Sequence, residues 1–284
     1  EKIPTVFYTH AENMIDTSMK RGPCELYCDE LARSLLKASP IITCTQTTRN
    51  QKLLDLEGVN STVIPMPMTE KTLLESSETY DKDGVLFIGR MEERKNFEDF
   101  IKIMKGKDHL IKVMTAAHHV KKAEEILLKN NFKNFIVKGG ITGKEKDDFI
   151  KSSKILLCTS KRENYSFALF ESISHTHCLV MDKFDWWKNF NCPFLVSGSI
   201  SYLSQKIDEL ILVDVDQKQR EWILETQDGI FEKWSNLFLD KSIEDKIYRS
   251  VISTNDDFFL SDFYKSLNRD VAITDIQSTY TSLK

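Results

Sequence analysis

Short apolar runs alternate with stretches of three-and-four apolar spacing along most of the chain, the pattern of strands and amphipathic helices. TVFYTH (5–10) reads as a strand, and Leu26, Leu31, Leu35 and Leu36 mark one face of a helix. PIITCT (40–45) is a second strand, TTRNQKLLDLEG (47–58) a helix ending on Gly58, and STVIPMPM (61–68) a third strand. Pro65 and Pro67 lack the amide hydrogen that a regular ladder needs, so that run leaves its sheet there. The polar stretch TEKTLLESSETYDKDG (69–84) shows no period, and a domain boundary is expected at its start, after residue 70.

Beyond it the alternation becomes regular. Strands are expected at 84–89, 110–117, 135–140, 154–160 and 178–184, with helices at 96–106, 120–131, 143–153 and 167–176 between them. A parallel connection needs a crossover of about a dozen residues, and helical patterns of that length separate these strands. The expected class is therefore α/β, with a doubly wound parallel sheet in this second portion. From about residue 199 the pattern is almost entirely helical, and no internal repeat or low-complexity segment interrupts it.

Composition narrows the function classes. A chain of 284 residues suffices for one large domain or up to two ordinary ones. A formal charge of −4 and a pI near 5.9 give no support for charge-driven binding to nucleic acid or an anionic membrane. No apolar run approaches the roughly 20 residues needed to span a bilayer, and there is no secretory h-region, so a cytoplasmic location is expected. The first residue is Glu rather than Met, and the chain reads as processed or as a piece of something longer. Among the six cysteines, Cys24 and Cys28 form a lone Cys-x3-Cys without a second ligand pair. Reduced, buried thiols fit better than a zinc site.

In an open parallel sheet, ligands bind outside the carboxyl ends of the strands. Three such ends carry suggestive residues. In GVLFIGRMEERKN, Arg90 follows the strand and Lys95 comes five residues later, just before a helix start. Two cations beside a helix N-terminus suit a phosphate or diphosphate; the competing reading is a solvated cluster in which Glu92 and Glu93 pair with Arg90 and Lys95. In VKGGITG (137–143), glycines at 139 and 140 allow close approach of a flat ligand, or simply make a tight turn. In SKRENYSFALFESIS, Glu163 falls in the loop after a strand and Glu171 about one turn into the next helix. Eight helical residues rise by about 12 Å, too far for two carboxylates to share one metal or proton. Paired acid/base work is thereby disfavoured. The two suit opposite parts of one extended ligand, or are a helix-start carboxylate and an ordinary surface residue. Residues 164–167 add a helix start with free amide groups.

These three features, in this order, resemble the retaining GT-B glycosyltransferases of the family 4 type, related to sucrose synthases and bacterial mannosyl- and glucosyltransferases. The matching residues are Gly89-Arg90, Lys95-Asn96, Gly139-Gly140 and the Glu-x7-Glu pair Glu163 and Glu171. TVFYTHAEN resembles the strand and histidine of the family's first domain, and residues 38–68 its last βαβ and crossover. Departures are Asn96 for the usual Gly, the absence of glycine in 164–168, and His175-Thr176-His177-Cys178 for the usual Gly-x-Pro.

The resemblance implies a GT-B-like architecture: 1–70 as the end of an acceptor-side N-terminal Rossmann-like domain, 71–235 as the nucleotide-sugar-binding domain, and 236–284 as C-terminal helices crossing back to the first. It implies that Arg90 and Lys95 hold the donor diphosphate, that Glu171 binds the ribose and that Glu163 binds the donor sugar. Backbone around Tyr165, Ser166 and Phe167 would contact sugar or phosphate, Gly139 would line the donor site, and His10 would face the sugar across the cleft. The implied reaction is metal-independent, retaining hexosyl transfer from a nucleotide-diphosphate sugar, UDP-glucose being the commonest, with no cofactor. Residues 1–68 supply only the last units of the first domain, so either a longer protein or a partner chain would complete it.

Two other classes compete. A degenerate, non-catalytic transferase-like subunit is favoured mildly by the lost glycines and opposed by the intact cations and glutamates. A sugar-nucleotide epimerase or dehydrogenase would need an early Gly-x-Gly-x-x-Gly, which is missing. Protein, lipid, polysaccharide, small molecule and modified DNA base all remain open as acceptors.

Overall fold

A computed structural model describes residues 6–9, 42–56, 58–66, 80–163 and 165–239. Strands β1 (Val6–Thr9), β2 (Ile42–Thr45) and β3 (Ser61–Val63) pair in parallel, and helix α1 (Thr48–Leu56) lies between the last two. Strand β3 stops short of Pro65, as the missing amide hydrogen requires. The helix expected around residues 26–36 lies outside the described residues.

The second portion runs β4 (Val85–Ile88), α2 (Phe97–Met104), β5 (Ile111–Thr115), α3 (Val120–Lys129), β6 (Phe135–Gly139), α4 (Gly143–Lys151), β7 (Ile155–Cys158), α5 (Phe167–Ile173) and β8 (His177–Met181). It ends with β9 (Leu195–Gly198), α6 (Ile200–Leu210) and α7 (Gln217–Leu239). All six strands are parallel, in the order β6-β5-β4-β7-β8-β9. Successive strands move outward from β4 on one side and from β7 on the other. The topological switch point therefore lies between β4 and β7, and the carboxyl edge there is where open parallel sheets bind ligands.

Alternate residues of the central strands enter opposite cores. Val85, Phe87, Ile111, Val113, Ile155 and Leu157 pack with α2, α3 and α6, whereas Leu86, Met114, Leu156 and Val180 pack with α4, α5 and α7. Burial on both faces explains why the strands read as continuous apolar runs. Strand β9 has no counterpart in the sequence pattern, because four residues directly after Pro193 and Phe194 are too few to show a period. The four cysteines among the described residues form no disulfide, and burial pushes the Cys44 and Cys192 thiols up to about 11.

Helix α7 links the two sheets. Near its start Gln219 donates to the carbonyls of Ile173 and Thr176, and near its end the Trp234 indole donates to the Pro65 carbonyl at 3.0 Å. The boundary expected after residue 235 falls inside this helix. Residues 240–284, with the further helices expected there, lie outside the described residues. No helix among those described is long and apolar enough to cross a membrane.

The first turn of α2 ties three strand ends together. Asp99 accepts from Asn96 Nδ2 (2.7 Å) in the loop after β4 and from Lys183 Nζ (2.6 Å) after β8, while Asn96 Nδ2 also reaches the Thr159 carbonyl (3.1 Å) after β7. Burial alone would raise the Asp99 carboxyl, but hydrogen bonds from Lys183, Asn96 and Lys102 outweigh it and bring it to about 2. A carboxyl whose pKa is lower folded than unfolded adds stability above the unfolded value and loses it as the pH falls through the folded one. Asp99→Asn is expected to cost roughly 2 kcal/mol at neutral pH and to converge on the wild type as the pH falls from about 4 to about 2. Urea unfolding across that range checks this; a difference independent of pH would refute it.

Candidate functional site

Lys95 and Glu163 leave different strands and meet at the switch point. Lys95 ends a 3-10 turn (Glu93–Lys95) after β4, and its Nζ lies 2.5 Å from Glu163 Oε1 in the loop after β7. Arg94 approaches the second carboxylate oxygen at 3.5 Å. Glu163 is only 6% exposed, and these cations are the partners that a buried carboxylate needs. Gly89 leaves room for the lysine stem, since a Cβ there would sit 3.1 Å from Lys95 Cγ and Cδ.

Asn96 adopts φ 54° and ψ 50°, the left-handed region. Asparagine tolerates that region better than most side chains, which is how the chain dispenses with the glycine usual here in the resembling family. The loop after β7 braces this turn from the other side. Thr159 Oγ1 donates to the Asn96 carbonyl (2.9 Å), Lys161 N donates to the Arg94 carbonyl (2.8 Å), and the Trp186 indole donates to the Ser160 carbonyl (2.8 Å).

The remaining expected residues fall as follows. Arg90 is exposed and pairs with Glu92 at 3.0 Å, one half of the cluster weighed from sequence. The other half does not form: Glu93 pairs with Lys161 at 2.7 Å, leaving Lys95 to Glu163. Glu171 sits in α5 and meets Lys146 of α4 at 2.5 Å, apart from the Lys95 cluster in its pairing. Ser166 caps α5, its Oγ accepting from the Leu169 amide, and the Phe167 amide is taken by the Tyr165 carbonyl at 3.1 Å. The Phe167 amide is thus not one of the free groups expected at this helix start. The Tyr165 ring is buried, stacked on Phe170 at 4.7 Å and edge-on to Phe190 at 5.4 Å. It belongs to the core. A Cβ on Gly139 would lie 2.2 Å from Val120 and 2.9 Å from Ala117, so packing of the neighbouring crossover requires glycine there. His10 and Asn164 lie outside the described residues.

Arg94 and Lys146 escape sequence reasoning. Adjacent cations at 94 and 95 give no sign that both face one carboxylate, and Lys146 is separated from Glu171 by 25 residues. A cavity of about 900 Å³ opens at the opposite, amino edge of the strands, lined by Lys82, Lys154, Ser174, Arg220, Asp214 and Glu221 among others. There Lys154 is held by Asp214 and Lys82 by the His175 carbonyl, both at 2.6 Å. The carboxyl edge, where the loops diverge, is the better candidate.

Lys95→Met would leave a buried carboxylate with Arg94 alone at 3.5 Å. A loss of roughly 3 kcal/mol is expected, and adding Glu163→Gln should recover most of it by removing the stranded charge. Urea unfolding of the single and double variants checks this; equal losses would mean that the pair is not coupled.

No protein-family model and no curated protein matches the chain by sequence. Solved structures do resemble it. TarM superposes with a TM-score of 0.63 at 16% identity, covering 80% of this chain and 49% of its own. A TarM mutant from S. aureus, at 18% identity, was crystallised with fondaparinux, α-GlcNAc-glycerol and UDP. Sucrose-phosphate synthase from Thermosynechococcus elongatus gives a TM-score of 0.60 at 11% identity, covering 87% of this chain and 67% of its own. WaaG, a glycosyltransferase involved in lipopolysaccharide biosynthesis, gives 0.56 at 12% identity, covering 75% and 68%. The chain thus spans about half the length of TarM, and its parallel-sheet α/β fold is that of GT-B glycosyltransferases.

Proposed function

We propose that this chain is the donor-binding portion of a glycosyltransferase that moves a hexose from a nucleotide-diphosphate sugar to an acceptor hydroxyl. The observation that carries this is the Lys95–Glu163 pair, 2.5 Å apart and set at the switch point of a GT-B-like sheet. In this reading the diphosphate draws Lys95 from Glu163, and Arg90 turns from its exposed pairing with Glu92 to the same phosphates. Glu163, released, accepts hydrogen bonds from hydroxyls of the donor sugar. Glu171 accepts from the ribose hydroxyls, and backbone near Tyr165 and Ser166 lines the sugar side. Gly139 lines the donor side, kept small by its packing.

Transfer then needs no enzymic nucleophile. The bond from the anomeric carbon to the leaving phosphate oxygen breaks, and the acceptor oxygen bonds to that carbon on the same face. The acceptor proton passes to the leaving phosphate, so configuration is retained and the products are a glycoside and a nucleoside diphosphate. Arg90 and Lys95 supply the positive charge that stabilises the departing diphosphate, so the reading is metal-independent. A uridine donor, UDP-glucose-like, is preferred because the TarM mutant of the same fold was crystallised with UDP.

Calorimetric titration with UDP-, GDP- and ADP-sugars tests the reading. UDP-glucose is expected to bind, and Lys95→Ala and Glu171→Ala should each weaken it by about ten- to hundredfold, the worth of a hydrogen bond to a charged group. No binding by the wild type, or two variants that bind unchanged, would sink the assignment. Binding without transfer to any acceptor would favour the non-catalytic subunit.

A further inference from the structure

One residue of the loop after β4, Met91, is held through both its amide and its carbonyl by the neighbouring crossover. The Met91 amide donates to His119 Nδ1 at 3.3 Å, and the Met91 carbonyl accepts from Lys122 Nζ at 3.0 Å. Met91 directly follows Arg90, its side chain is buried in the core beneath α2, and the Glu92 amide closes back on the Arg90 carbonyl at 2.8 Å. The path of Arg90 therefore depends on how Met91 is held. His119 belongs to a 3-10 turn (Ala117–His119) between β5 and α3, so this hold comes from a different βα unit.

A ring nitrogen accepts a hydrogen bond only while it carries no proton. With Nδ1 accepting from Met91, the proton of the neutral ring must lie on Nε2. We propose that His119 is a positioning residue for the donor site: as a neutral imidazole it holds the Arg90–Lys95 loop ready for a diphosphate, and protonation releases that loop. The proposal rests on the reading of Arg90 and Lys95 as the diphosphate grip.

The surroundings favour the neutral ring. Burial comes first, then the neighbouring His118 ring, 4.1 Å away centre to centre, and Lys122 of α3. Glu92 on the gripped loop opposes them and Arg90 adds to them, and together they hold His119 below the ordinary histidine value of 6.5. At neutral pH the acceptor is present. As the pH falls through this lowered value, Nδ1 gains a proton and two N–H groups face each other. Donor affinity is therefore expected to fall on acidification. A histidine that touched phosphate directly would do the reverse, since its charge would attract the anion.

His119→Asn and His119→Ala separate these cases. The asparagine Oδ1 takes the place of Nδ1 and accepts from Met91 without titrating, whereas alanine accepts nothing. Calorimetric affinity for UDP-glucose is measured for all three proteins from about pH 8 to about pH 4.5, well below the ordinary histidine value. Taken relative to His119→Asn, which cancels the titration of the ligand and of other groups, wild-type affinity should fall severalfold once the pH drops well below the ordinary histidine value. His119→Ala should already be weaker by that factor at the alkaline end. A ratio that stays constant, or rises toward acid, overturns the proposal.

The Met91 amide resonance of the ligand-free protein gives a readout independent of any donor. It should follow the His119 titration in the wild type and stay fixed in His119→Asn. An amide that ignores the titration overturns the hold on the loop. If no nucleotide-sugar binds while the amide does titrate, the donor reading fails and the hold of His119 on the loop stands.

Discussion

Glu163 lies at a depth where only 6% of the residue meets solvent, and the carboxyl edge of the large sheet is arranged around that constraint. A buried carboxylate is tolerable only beside a cation held in good geometry. Lys95 can be that cation because the chain after β4 turns tightly. Gly89 clears a path for its stem, Asn96 reverses the backbone in the left-handed region, and Thr159 fastens the turn to the loop that carries Glu163. Each strand end is therefore placed by its neighbour's loop, and the pair forms only when β4 and β7 are adjacent.

The departures from the pattern of the resembling family have local causes in the structure. Asn96 keeps the backbone conformation of a glycine and adds two hydrogen bonds, to Asp99 and to the Thr159 carbonyl, that glycine lacks. In 165–170 the aromatic side chains build a core cluster instead of a glycine turn: Tyr165, Phe170, Phe190 and Trp186 pack against one another at 4.7–5.9 Å. That cluster fixes the start of α5, and Trp186 also fixes the Ser160 carbonyl in the loop leading to Glu163. Packing here does work that a flexible turn would leave to the ligand.

Much of the fold was legible because burial on both faces leaves so plain a trace. Each strand of the large sheet except β9 shows as an apolar run, and α2, with Phe97, Phe100, Ile101 and Met104 facing the core, shows its stripe at three-and-four spacing. The miss follows from length: strand β9 has four residues and no room for a period. Of the site, the sequence pointed to the residue types at the strand ends but not to their partners.

The sequence by itself determined the alternation of strands and helices, the parallel class and the set of charged residues at the carboxyl edge. These depend on local periodicity and on the rule that βα loops gather at one edge. Only the tertiary structure decided which charges meet. Lys95 rather than Arg90 answers Glu163, Lys146 answers Glu171, and His119 holds the peptide beside Arg90. These partners lie 25 to 68 residues apart, or on neighbouring crossovers, and their meeting depends on strand order, which no local pattern records.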